Sequence, residues 1–185
     1  RSIEKYWNDI SSAAPNTDFV IYNIPQLAGV ALTSGMLRNM LRNPNVIGVK
    51  NSSMPVQDIE MWRDEGAIVF NGPDEQLLSG LCAGAIGGIG GTYAVMPELY
   101  LAIYRLFLEG DIAKARAVQD ECCHVIYKLC SGKGNMYAMI KETLRALGAP
   151  DIGGVREPLY NLIPEDREIC KNCAEEITAL VEKYA

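Results

Sequence analysis

Val46-Ile-Gly-Val-Lys50-Asn-Ser-Ser53 is a short apolar run with β-branched residues that leads into a lysine, bounded by Asn43-Pro44-Asn45 before it and Met54-Pro55 after it. Such a run between turn residues predicts a buried strand whose last residue emerges at the strand C-terminus. A lysine there commonly snorkels to water or pairs with a carboxylate. The sharper alternative is an amine held in an apolar pocket, its pKa drawn from ~10.4 toward ~7–8, free to attack a ketone and form a Schiff base. The neighbouring elements decide between the two.

On the N-terminal side, Phe19-Val20-Ile21-Tyr22 reads as a strand stopped by Asn23-Ile24-Pro25. It follows a helix over 3–14, whose Ile3, Tyr6, Trp7 and Ile10 have amphipathic spacing and which Pro15-Asn16-Thr17 ends. Thr33 is placed to cap a helix over 34–42. On the C-terminal side, 55–64 reads as a helix, and Gly66 turns the chain into a third apolar run, Ala67-Ile-Val-Phe70, ending at Asn71-Gly72-Pro73. Asp74 is expected to cap a helix over 75–83, and Ala85-Ile-Gly-Gly-Ile89 is a fourth run that ends in Gly90-Gly91-Thr92. Strands alternate with helices and are apolar on both faces, which predicts a parallel sheet covered by helices. After Thr92 the pattern is helical, over 97–109, 111–129, 137–147 and 165–184, broken by Gly110, by Ser131-Gly132-Lys133-Gly134 and by the Gly/Pro-rich segment 149–158.

Four βα units are too few to close a barrel of eight, and no strand precedes the opening helix. The expected fold is therefore α/β: the C-terminal half of a (β/α)8 TIM barrel, strands 5–8, over residues 1–110, followed by a C-terminal helical extension over 111–185. An open doubly wound sheet of about four strands is the competing architecture. The chain opens on Arg1-Ser2-Ile3-Glu4, without methionine or a signal-peptide pattern, so the gene product is expected to start further upstream.

Composition narrows the function. With 17 basic and 23 acidic residues the net charge is −6, which opposes binding to nucleic acid or an anionic membrane, and no apolar run approaches the ~20 residues of a membrane span. A small-molecule substrate or a protein partner fits better. The six cysteines lie mostly among helical apolar residues, which suggests reduced thiols and a cytoplasmic protein. Cys170-Lys-Asn-Cys173 has CxxC spacing, but it falls inside a helical pattern, no second pair exists, and His124 is the only histidine, so neither a metal nor a redox role is expected.

In parallel α/β folds, function gathers beyond the strand C-termini. The residues there are Tyr22, Lys50 with Ser52, Asn71-Gly72 with Asp74 and Glu75, and Gly90-Gly91-Thr92. Each has an ordinary structural reading: Tyr22 as a core tyrosine, Asp74 as an N-cap, Glu75 as a first-turn acid favoured by the helix dipole. Together they are an amine, a phenol, two carboxylates and a glycine-lined floor on one rim. The glycines at 84, 87, 88, 90 and 91 lack a GxGxxG register and a following Gly-Lys-Ser/Thr, so nucleotide binding is not expected.

Tyr22-Asn-Ile-Pro25, the Gly48-Val-Lys50 strand end 28 residues beyond Tyr22, and the glycine-rich last strand resemble the C-terminal portion of the N-acetylneuraminate lyase and dihydrodipicolinate synthase superfamily of class I aldolases. The resemblance runs through nearly the whole chain, including Arg156-Glu-Pro158-Leu. Within the superfamily, Leu27 stands where the synthases typically carry a carboxylate-binding arginine, and Asn71-Gly-Pro-Asp-Glu75 is similar to the lyase segment that binds the polyol tail of sialic acid. The resemblance implies Lys50 as the Schiff-base lysine, Tyr22 as the proton-transfer residue, and Ser52, Gly72, Asp74, Glu75 and Gly91 as substrate-binding positions. Lyases often read Gly-Ser-Thr-Tyr where this chain has Gly90-Gly91-Thr92-Tyr93, so a side-chain hydroxyl is lost at Gly91. It further implies cleavage of N-acetylneuraminate to pyruvate and N-acetylmannosamine, a covalent intermediate in place of any cofactor, and a homotetramer. Dihydrodipicolinate synthesis and cleavage of another 2-keto-3-deoxy sugar acid are the alternatives within the superfamily, and a noncatalytic interaction scaffold is the alternative outside it.

Overall fold

The computed structural model describes residues 2–185 and divides into two compact units, the first ending at Ile89 and the second running Gly90–Ala185. The first unit holds α1 (Ser2–Ser12), β1 (Phe19–Asn23), α2 (Pro25–Ala28), α3 (Ser34–Met40), β2 (Val46–Asn51), α4 (Gln57–Asp64), β3 (Ile68–Asn71), α5 (Leu77–Cys82) and β4 (Gly87–Gly88). All strand pairs are parallel, in the order β1-β2-β3-β4. The βα alternation expected from the apolar runs is therefore present.

Side chains alternate across a strand, and here the alternation sorts them into two populations. One face carries Ile21, Val49 and Val69, each at most 1% exposed, packed with Leu37 and Met40 of α3 and Ile59 and Trp62 of α4. The other carries Tyr22 and Ile68, which are 49% and 40% exposed, and the half-buried Lys50 and Phe70. Among the described residues the helices cover the first face, and the second, apolar as expected, is the more exposed. Thr33 caps α3 as expected, its hydroxyl accepting a 3.2 Å bond from Met36 N.

Two local expectations change. The fourth run keeps only Gly87–Gly88 as strand. Asp74 is not the cap of a helix over 75–83. It lies within a 3-10 turn, Asp74–Gln76, because Pro73 holds an extended backbone that starts the turn one residue early, and α5 begins only at Leu77.

The second unit is helical: a 3-10 turn at Thr92–Ala94, then α6 (Pro97–Leu108), α7 (Ile112–Cys130), α8 (Met136–Ala146) and α9 (Pro164–Tyr184). Helix α6 packs on α7, α7 on α9 and α8 on α9, around Leu99, Ile103, Val125, Leu129, Met139 and Ile177. Asp111 and Asn135 cap α7 and α8, accepting from Lys114 N and Tyr137 N. Asp166, 1% exposed in the first turn of α9, accepts backbone bonds from Lys133 N, Gly134 N and Ile163 N at 2.9, 2.9 and 3.1 Å. One carboxylate thus ties the glycine-containing 131–134 loop to the start of α9. Cys170 and Cys173 are buried in α9, and their thiols are pushed up by burial, that of Cys173 to about 11. No cluster of metal-ligating residues occurs among the described residues, and no described helix is long and apolar enough to cross a membrane.

Candidate active site

Parallel pairing aligns the chemistry-bearing residues in rows across the sheet. Tyr22 of β1 is the register partner of Lys50 of β2, Lys50 of Phe70, and Phe70 of Gly87. Register partners on one face bring their side chains close together, and the Lys50 Nζ lies 4.1 Å from the centroid of the Tyr22 ring. The ring face attracts the ammonium and holds the amine over the phenol. Lys50 is half-buried and Tyr22 is half-exposed, unlike a core tyrosine. Beside Tyr22 opens a cavity of ≈ 260 Å³ lined by Ile3, Tyr6, Trp7, Val30 and Leu32 among others.

Immediately beyond this row, the backbone continues the ladder one step past each strand. Ser52 N donates to Asn23 O at 2.8 Å, Gly72 N to Asn51 O at 2.8 Å and Ile89 N to Asn71 O at 2.9 Å. These bonds bring Ser52 and Gly72 together. A Cβ on Gly72 would lie 2.1 Å from Ser52 Oγ and 2.6 Å from Asn51 O, so the position accepts only glycine without a backbone shift. Two residues further, the 3-10 turn carries Asp74, 7% exposed, and Glu75, which faces solvent. The expected residues of the first unit thus share the C-terminal end of one sheet.

Gly91 belongs to the second unit. A Cβ there would meet Tyr137 Cε1 at 3.4 Å and Ile140 Cδ1 at 3.6 Å, ordinary contacts, so the missing hydroxyl-bearing side chain is not excluded by crowding. Next to it, Thr92 Oγ1 and the Tyr100 hydroxyl share a buried 2.6 Å hydrogen bond, and the Tyr100 ring stacks on Tyr93 at 4.0 Å.

The row of asparagines under the site was not anticipated. Asn23, Asn51 and Asn71 follow Tyr22, Lys50 and Phe70, are themselves register partners, and are 4%, 1% and 0% exposed on the helix-covered face. The available signal was the recurrence of asparagine directly after three successive apolar runs.

The model of the dihydrodipicolinate synthetase family matches residues 1–177. The chain belongs to that family. Among relatives, it is 55% identical to an N-acetylneuraminate lyase from Mediterraneibacter gnavus over 186 residues, which cover 99% of this chain and 59% of the relative. The chain thus spans less than two thirds of that relative's length. Among solved structures it resembles a Ruminococcus gnavus sialic acid aldolase carrying a catalytic-lysine mutation, with a TM-score of 0.97 and 55% identity over 100% of this chain and 61% of that one. It also resembles a Fusobacterium nucleatum N-acetylneuraminate lyase complexed with pyruvate, at a TM-score of 0.86 and 27% identity, covering 95% of this chain and 59% of that one. Family membership and the α/β fold with a parallel sheet therefore agree with the resemblance carried by Tyr22-Asn-Ile-Pro25 and Gly48-Val-Lys50.

Proposed function

We propose that this chain is the strand 5–8 half of a (β/α)8 barrel, residues 1–110, with its helical extension 111–185, from a Schiff-base lyase that cleaves N-acetylneuraminate. The observation that carries this reading is the Lys50 amine held 4.1 Å from the Tyr22 ring at adjacent strand ends. The names of its relatives support it, one being a sialic acid aldolase with a catalytic lysine and another a lyase holding pyruvate.

In this mechanism the neutral Lys50 amine attacks the C2 ketone of the open-chain substrate, and loss of water leaves a protonated imine. The C4 hydroxyl gives up its proton through Tyr22, the C3–C4 bond breaks, and its electron pair flows into the imine to form an enamine. N-acetylmannosamine leaves as the aldehyde. Protonation of the enamine at C3 and hydrolysis of the imine then release pyruvate and regenerate the amine. No cofactor takes part, because the imine itself is the electron sink. Ser52, Gly72, Asp74 and Glu75 line the path of the polyol tail, and two adjacent carboxylates accept hydrogen bonds from vicinal hydroxyls better than they tolerate an anionic tail. Gly91 leaves one such contact to backbone. The working protein is a cytoplasmic homotetramer in this reading.

Pyruvate release from N-acetylneuraminate tests the assignment, with condensation of pyruvate and aspartate semialdehyde as the comparison reaction. Turnover of the sugar acid alone is expected, consistent with Leu27 in place of a carboxylate-binding arginine. Condensation without cleavage would move the protein to the synthase branch.

A further inference from the structure

Lys50 and Tyr22 sit on one face of the sheet, while the residues that follow them, Asn51 and Asn23, sit on the other and are joined side chain to side chain. Asn23 Nδ2 donates to Asn51 Oδ1 at 2.8 Å. The same oxygen accepts from Trp62 Nε1 of α4 at 2.9 Å, and the Ser53 hydroxyl stands 3.0 Å from it and 2.6 Å from the Asp58 carboxylate. Asn23 Oδ1 in turn accepts from Leu32 N at 3.1 Å. Asn51 is 1% exposed, so its oxygen gathers donors from the neighbouring strand and from a helix in a setting where an unmade bond is costly.

We infer that Asn51 is a positioning residue for the proposed reaction, and this rests on the aldolase reading. The amide pair ties the ends of β1 and β2 from behind, one residue past the catalytic pair, and so fixes how far the Lys50 amine stands from the Tyr22 ring. Backbone pairing alone sets the register, but a strand end can still twist or splay. The Asn23–Asn51 bond and the Trp62 indole remove that freedom without touching substrate.

Borohydride trapping of pyruvate on Lys50, followed by mass spectrometry across pH in the full protein, tests this. Asn51→Leu, nearly the same size but without the acceptor, is expected to slow trapping about tenfold to a hundredfold at saturating pyruvate, since misplacement of a reacting group by about 1 Å costs that much. Asn51→Asp keeps an acceptor oxygen and is expected to stay within about threefold of the parent. If Asn51→Leu does not fold, Asn23→Ala, which removes the strand-to-strand donor, carries the same expectation. A folded Asn51→Leu, or in its place a folded Asn23→Ala, that traps pyruvate at the parent rate with an unchanged pH profile would overturn the inference and leave the aldolase reading standing. A parent protein that traps no pyruvate at all would overturn both.

Discussion

Lys50 and Tyr22 are partners in register on adjacent parallel strands, and the lysine nitrogen stands 4.1 Å from the centre of the tyrosine ring. Strand pairing and side-chain alternation suffice to bring an amine and a phenol together on the partly exposed face of the sheet. If the phenol carries protons and the ring only supports the amine, the two roles separate chemically. Tyr22→Phe keeps the ring and removes the hydroxyl. The expected result is a pyruvate adduct still formed at Lys50, with kcat for cleavage lowered by about 10²- to 10⁴-fold. Steady-state kinetics alongside adduct mass spectrometry checks both halves.

Gly72 is fixed by space. Its added Cβ would meet Ser52 Oγ at 2.1 Å and the Asn51 carbonyl at 2.6 Å, and the backbone oxygen cannot rotate away. Gly72→Ala is expected to lower stability by about 1–3 kcal/mol through strand displacement. The midpoint of urea unfolding, read with the slope held constant, measures it.

Asp166 carries a pH-dependent share of stability. Burial pushes its carboxyl up, but three backbone N–H donors outweigh that, and the net position lies below the ordinary value of 3.8. A group depressed in the folded state contributes fully above its unfolded pKa and loses the contribution as pH falls through the folded value. Asp166→Asn leaves at least one buried N–H facing a donor, so it is expected to be less stable than the parent at about pH 6 by about 1–3 kcal/mol. That gap narrows below about pH 4, as the parent's carboxylate protonates. Thermal melts of both proteins at several pH values follow it.

The cysteines are expected to react in order of exposure. Cys82 and Cys130 are exposed, whereas Cys170 and Cys173 are buried with thiols pushed upward, the latter to about 11. Only the thiolate is nucleophilic. Iodoacetamide at pH ~8 should label Cys82 and Cys130 first and leave the CxxC pair unmodified until the protein unfolds, as peptide mapping would record.

Much of this arrangement was legible in the chain. Val46–Lys50 and Phe19–Tyr22 announce themselves as strands because apolar β-branched runs between turn residues have few other uses, and Thr33 is a cap by side-chain chemistry alone. The misreadings have physical causes. Asp74 has the composition of an N-cap, but Pro73 starts a 3-10 turn ahead of it, a choice made by backbone geometry that residue type does not encode. Asn23 reads as a strand stop, because the buried amide network it joins needs Asn51, 28 residues further on, and only strand pairing brings the two side chains together.

The most direct measurement is the intact mass of the protein after incubation with pyruvate and sodium borohydride. A single stable adduct that maps to Lys50 and disappears in Lys50→Ala, together with loss of pyruvate release from N-acetylneuraminate in that variant, is the predicted result. An unmodified mass, or an adduct that persists when Lys50 is replaced, would contradict the account.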